Sequence, residues 1–258
     1  MTWLLIRYGE VWLKGKKRSF FERKLVQNIK KCLDAGGHLY QQIIRKPGRI
    51  LIETPVVYAP LARLPGIVSF SFAYKTEPTI EKITEEVKKF LPFKGESFCI
   101  RAKRLEKIGQ CSQEWERALG SYIVHETGKR VDLGHPDIVF GIELFQDAAF
   151  LFFESLDGCG GLPQIKEGRI ILLLQTERDL LAGKLLLKRG CVPEVYSSTE
   201  ALCTALIASC PGISLQRVSS VVPSDFVAAG DRMENYPYPI LLPLEGLTEE
   251  EIVQLGGR

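Results

Sequence analysis

The segment that most constrains this chain is 171–190, ILLLQTERDLLAGKLLLKRG. An apolar run of strand length meets a polar turn, then leucines at helical spacing. That is the outline of a strand, a turn and a helix. A strand feeding a helix N-terminus is where α/β domains present backbone amides to a phosphate. The turn here, Gln175-Thr176-Glu177-Arg178-Asp179, has no glycine to let a backbone approach an anion. It also sets a carboxylate, Glu177, where phosphate oxygens would have to go. The segment has the frame of a phosphate site without its chemistry.

Charge is distributed unevenly along the chain. The formal net charge is +3, yet residues 1–49 carry twelve Lys and Arg against three acids, a net of +9. Residues 166–258 carry nine basic and twelve acidic residues, a net of −3. Such segregation suits a polyanionic partner for the basic part. No apolar run reaches the about 18 residues of a membrane span, so none is expected. The opening MTWLLIRYGEVWLKG reads as a first strand, not a signal peptide. The seven cysteines are scattered and never form a C-x-x-C pair. Packed free thiols in a reducing cytoplasm are the expectation for them. His38, His125 and His135 are too far apart for ligand spacing, and no cofactor fingerprint is present, so neither metal nor cofactor is expected. Ser155 and Ser224 lie in no nucleophile elbow. Gly158 to Gly161 lacks the Lys and Ser/Thr of a phosphate loop and reads as a hinge.

Periodicity divides the chain into three parts. In the first, Thr2 to Tyr8 reads as a strand, followed by a helix through Phe21, Leu25, Ile29 and Leu33. Ser19-x-x-Glu22 predicts a capping box, and Gly36-Gly37 a stop. Tyr40 to Lys46 and Arg49 to Thr54 form a hairpin around Pro47-Gly48. A short helix from Tyr58 to Leu64 and a strand from Val68 to Tyr74 complete a ferredoxin-like order. After Glu77-Pro78 come a helix from Thr79 to Leu91 and a strand from Ser97 to Ala102. A helix from Ser112 to Thr127, stopped by Gly128, and strands over Asp137 to Phe145 and Ala149 to Ser155 follow. The third part holds the strand Arg169 to Leu174 and the helix Leu181 to Lys188. Glu249-Glu250-Glu251 reads as the start of a further helix. The divisions fall at 1–76, 77–165 and 166–258.

Tyr8-Gly9-Glu10, Leu13-Lys14-Gly15-Lys16 and Phe21-Glu22 resemble the opening signature of the tRNA 4-thiouridine synthetase family. Pro65-Gly66-Ile67-Val68 with Ser71 resembles the close of that family's ferredoxin-like domain. Phe98 to Arg104, then Val131-Asp132-Leu133 and Pro136-Asp137, looks like a THUMP domain. Gly160-Gly161-Leu162-Pro163 looks like the join to a PP-loop domain, and the likeness returns at Leu181 to Gly190 and Pro239 to Ile252. The resemblance implies an α/β protein: a ferredoxin-like domain, a THUMP domain and a reduced Rossmann-like PP-loop domain. It also implies binding to the acceptor region of tRNA.

In the family the phosphate turn reads Ser-Gly-Gly-x-Asp-Ser. The likeness sets Leu174, Gln175 and Thr176 under Ser-Gly-Gly, Arg178 under the Asp and Asp179 under the second Ser. Every phosphate-contacting position is changed. The segment 166–258 is also about half as long as the family's catalytic domain, and Cys191, Cys203 and Cys210 lack the context of its sulfur-carrying cysteine. The expectation is therefore a cytoplasmic tRNA-binding protein with a degenerate nucleotide loop and no intrinsic adenylation. An active sulfurtransferase with a divergent nucleotide site and an adaptor for a catalytic partner are the alternatives. Candidate RNA contacts are Lys14, Lys16 and Arg18, the hairpin-tip residues Arg45, Lys46 and Arg49, and Arg101, Lys103, Arg104 and Lys107. Arg178 is the one cation that could rescue the turn, if it points inward.

Overall fold

The computed structural model describes residues 2–55, 59–107, 109, 111–166, 168–222, 226–231 and 240–256. Tyr58, Ser224 and Pro239, used in the sequence reading, lie outside them. In chain order the elements begin with β1 (Thr2–Arg7), a 3-10 segment (Glu10–Lys17), α1 (Arg18–Ala35), β2 (Gln42–Lys46) and β3 (Arg49–Glu53). A second 3-10 segment (Ala59–Arg63), β4 (Ser69–Thr76), α2 (Ile80–Lys88), β5 (Ser97–Arg104) and α3 (Ser112–Thr127) follow. Next come β6 (Arg130–Val131), β7 (Ile138–Leu144), β8 (Ala149–Phe152), β9 (Leu156–Asp157), β10 (Ile171–Leu173) and α4 (Glu177–Lys188). The last are β11 (Glu194–Tyr196), α5 (Glu200–Ala208), β12 (Val227–Ala228), β13 (Ile240–Leu241) and α6 (Glu249–Gly256).

Two compact units organise these elements. One comprises Met1–Arg7, Leu39–Val57 and Ser69–Leu156; the other comprises Tyr8–His38, Tyr58–Val68 and Asp157–Arg258. The first unit is built on one mixed sheet in the order β2-β3-β1-β4-β8-β7-β5-β6. The antiparallel run β2-β3-β1-β4 is the ferredoxin-like strand order. β4 then pairs with β8, while β5 runs parallel to both β6 and β7. Strand alternation sorts side chains onto two faces. Trp3, Leu5, Leu51, Ala73 and Phe150 form one buried cluster. Ile83, Phe98, Trp115, Leu119, Phe140 and Ile142 form another, closed by α2 and α3. Gly128 caps α3 in the left-handed region at φ 69°, which glycine reaches without a Cβ penalty. The hairpin turns at Gly48, φ 73°.

The second unit carries a parallel sheet in the order β11-β10-β12-β13, with α4 and α5 in the same unit. α4 lies close to its strand. A Cβ on Gly183 would stand 2.7 Å from Leu172 Cδ2 and 3.0 Å from Leu206 Cδ1, so a side chain there would push these leucines aside. In the same unit α1 buries Leu25, Ile29, Cys32 and Leu33.

Two sequence expectations are corrected here. Ser19 and Glu22 do not form a capping box: α1 begins at Arg18 with no side-chain cap. Glu22 instead accepts from the Tyr8 hydroxyl at 2.5 Å and from Arg18 Nε at 2.7 Å. The glycine run 158–161 is also not a free hinge. Gly158 and Gly160 donate to the carbonyls of Val68 and Ile67, and Gly66 donates to Gly160. A Cβ on Gly158 would stand 2.2 Å from the Ile67 carbonyl oxygen, so these glycines serve close backbone packing.

Candidate functional site

The turn between β10 and α4 is filled from within. Thr176 is the N-cap of α4 with extended backbone, and its hydroxyl accepts from the Asp179 amide. Asp179 answers with its carboxylate. Oδ2 accepts from the Gln175 amide at 3.1 Å, the Thr176 amide at 2.9 Å and the Thr176 hydroxyl at 2.9 Å. Oδ1 accepts from the Gly230 amide at 2.7 Å. Gly230 follows β12, and a Cβ there would meet the Arg178 carbonyl carbon at 2.4 Å. The strand end therefore presses its backbone against the first turn of α4. The amides of Gln175 and Thr176, at the turn from strand to helix, are spent on a side chain.

The anion in the turn is therefore Asp179, 7% exposed, and not Glu177. Glu177 opens α4 and faces solvent. Arg178 does not point inward either. Its Nε lies 2.8 Å from Asp231 Oδ1, off the donor direction, so the contact is an ion pair and not a hydrogen bond. Its Nη1 lies 3.5 Å from Glu249 Oε1. Leu174 is buried, and Gln175 turns outward to accept from the Ser198 hydroxyl at 2.9 Å. Of the five loop positions, Thr176 and Asp179 supply the side chains that fill the turn, and Gln175 a backbone amide. The signal for them was present as T-x-x-D, a reciprocal cap. Gly230 had no local signal.

The cationic candidates divide by what they already touch. On β5, Arg101 and Lys103 share a face by alternation, and Arg104 takes the other. All three, with Lys107, are exposed. Arg101 also donates to the Leu133 carbonyl at 2.6 Å. At the hairpin tip Arg45 is exposed, whereas Lys46 holds Asp147 at 2.7 Å and keeps that carboxyl below its usual range. Arg49 is a correction. It is 7% exposed, donates to both oxygens of Glu143 and to the Gly48 carbonyl, and presents nothing to a phosphate. In the other unit Lys16 is exposed and Lys14 lies 5.4 Å from the Phe21 ring centroid. Arg18 lies 3.6 Å over Trp12 and is tied to Glu22. Burial, then Glu22, pushes the neighbouring Tyr8 hydroxyl up to about 12. Among the described residues no cluster of metal-ligating side chains occurs, and no helix is long and apolar enough to cross a membrane.

Two family models match the chain in succession. The family model for the ThiI ferredoxin-like domain matches residues 3–71, and that for the THUMP domain matches residues 74–154. A probable tRNA sulfurtransferase of Methanobrevibacter smithii is 35% identical over 202 residues, 73% of this chain and 51% of its own length. One of Geobacillus kaustophilus is 36% identical over 197 residues, 72% of this chain and 49% of its own. The chain thus spans about half the length of the curated relatives it matches. Among solved structures, PH1313 from Pyrococcus horikoshii Ot3 aligns over 100% of this chain and 99% of its own, with a TM-score of 0.86 and 29% identity. A 4-thiouridine synthetase crystallised with RNA and bound ATP aligns over 76% of this chain and 52% of its own, with a TM-score of 0.62 and 28% identity.

Proposed function

We propose that this chain, which belongs to the tRNA sulfurtransferase family through its ThiI ferredoxin-like and THUMP domains, binds structured tRNA and does not adenylate it. One observation carries the second half of that reading: the Asp179 carboxylate takes the backbone amides of the turn. A phosphate entering there would find its donors used. It would also meet a fixed negative charge, a repulsion of about 4 kcal/mol at 4 Å and an effective dielectric near 20.

The first half is supported by the exposed cations of β5, by the +9 segment, and by a 28% identical relative crystallised with RNA. Shape and phosphate contacts are the usual basis for gripping double-stranded RNA. Arg101, Lys103, Arg104 and Lys107 are the principal contacts in this reading, with Lys14, Lys16 and Arg45 as accessories. Residues 1–76 and 77–165 form the RNA-binding part, and 166–258 a remnant retained for its packing. Chemistry on the bound RNA falls to another catalytic domain or polypeptide. The reading places the protein in the cytoplasm, where seven free thiols suit a reducing compartment.

Calorimetry with ATP and magnesium tests the nucleotide half. No heat of binding is expected. A dissociation constant in the micromolar range would overturn the assignment and promote an active sulfurtransferase. Retention of total tRNA on the immobilised chain, lost at high salt, tests the RNA half.

A further inference from the structure

We propose that Trp12 is a stacking platform for an unpaired RNA base. The inference rests on the RNA-binding reading above and adds a contact that reads single strands. The chain has three tryptophans. Trp3 and Trp115 are 2% and 5% exposed, as core residues should be, while Trp12 is 51% exposed. Its neighbour Leu13 is 81% exposed.

The backbone explains how Trp12 comes to face outward. Val11 is fully buried and anchors the 3-10 segment. The Trp12 amide donates to the Gly9 carbonyl at 2.9 Å, and the chain kinks at Gly15, φ 49° and ψ −124°. The indole is therefore held in place while half of it stays in water. The Arg18 guanidinium lies 3.6 Å over the ring. Arg18 is fixed in turn by Glu22, which also accepts from the Tyr8 hydroxyl. Leaving this much aromatic surface in water forfeits the stabilisation that burial would contribute. A pre-positioned ring loses little entropy on binding.

The surroundings select the partner. Along the chain Lys14, Lys16, Lys17 and Arg18 lie within six residues of Trp12, against Glu10 alone in that span, and Glu22, ten residues on, holds Arg18. A π-face beside a guanidinium, on a lysine-rich segment, matches a nucleotide, whose base stacks while its phosphate meets the charges. An A-form stem hides its bases, so the bound base must be unpaired.

The full chain would be titrated with an RNA hairpin bearing a single-stranded tail and with the same hairpin blunt-ended. Fluorescence anisotropy gives affinity, and acrylamide quenching of tryptophan reports on Trp12, the exposed one. The tailed RNA is expected to shield Trp12. Trp12→Ala and Trp12→Leu are expected to lose about tenfold in affinity for the tailed RNA and little for the blunt one. Trp12→Phe, which still stacks, retains most of it. Equal affinity of wild type and Trp12→Leu for the tailed RNA overturns the platform and leaves RNA binding intact. So does an equal loss for both RNAs, which makes Trp12 a general contact. Shielding of Trp12 by an acidic peptide and not by RNA overturns it in favour of a protein partner. Failure of the wild type to bind either RNA sinks the RNA-binding reading and this inference with it.

Discussion

Glu143 accepts from two arginines at once. Arg7 Nε lies 2.8 Å from one oxygen, and the Arg49 fork spans both at 2.5 and 2.9 Å. Arg7 also donates to Ser71 and lies 4.6 Å from the Phe152 ring centroid. Burial lowers the pKa of Arg7, and the Glu143 charge opposes that shift. Among the described residues Glu143 is the carboxylate that pairs with both guanidiniums. Glu143→Ala is therefore expected to cost about 3–5 kcal/mol, because it leaves buried charge uncompensated. Urea denaturation would measure it, and a loss under about 1 kcal/mol would refute the burial argument. Arg45→Ala, on the solvent side of the same hairpin, should stay within about 0.5 kcal/mol. Asp179→Ala is the parallel case in the other unit. It strips acceptors from the amides of Gln175, Thr176 and Gly230 together, and about 2–4 kcal/mol is expected from the lost cap and unsatisfied donors. A melting curve unchanged by that substitution would show that the turn holds without its internal anion.

Strand β5 is the element on which RNA affinity depends in the proposed reading. Replacing Lys103 and Lys107 with Ala should weaken tRNA binding by about 1–3 kcal/mol. It should also reduce the slope of log affinity against log salt by about one per lost phosphate contact. Unchanged affinity and slope would remove the end of β5, and the segment after it that carries Lys107, from the interface. Elements of this kind were legible in the sequence because their signals are local. The α3 helix, its Gly128 stop and the hairpin at Pro47-Gly48 follow from periodicity and turn chemistry alone. The features that were not legible depend on distant partners. Glu22 had the spacing of a cap, but Tyr8, fourteen residues earlier, takes its carboxylate. Arg49 looked like a hairpin-tip cation, yet its acceptor is 94 residues away on β7. In the glycine-free turn the sequence points to Glu177 as the anion, whereas the carboxylate that takes the turn's amides is that of Asp179. Glu177 lies at the expected position in the sequence, but a helix begins there and turns it outward. Asp179, two residues further on, reaches back, and Gly230 completes it from 51 residues away.

At the scale of the whole molecule the response to alkali is set by buried thiols and a buried phenol. Burial pushes the thiols of Cys32 and Cys159 up to about 11 and that of Cys210 up to about 12, from an ordinary value of 9.0. Tyr8 is pushed up to about 12 from 10.0, also by burial first. All four belong to the unit containing α1 and the parallel sheet. Below about pH 9 each group is protonated in both the folded and unfolded states, and stability does not depend on them. Above it the unfolded chain releases protons that the folded unit retains. Stability therefore falls as pH rises from about 9 towards 12, with a slope of up to about 1.4 kcal/mol per pH unit for each group that titrates. Urea midpoints taken stepwise across that range should decline, and Cys210→Ala should flatten the decline. At neutral pH the same burial should leave Cys32, Cys159 and Cys210 slow to alkylate, while the exposed Cys111 reacts first. A midpoint constant through pH 9 to 11, or rapid labelling of Cys210 in the folded chain, would mean that these thiols reach water. It would also mean that the second unit is less tightly closed than its packing around Gly158, Gly161 and Gly183 requires.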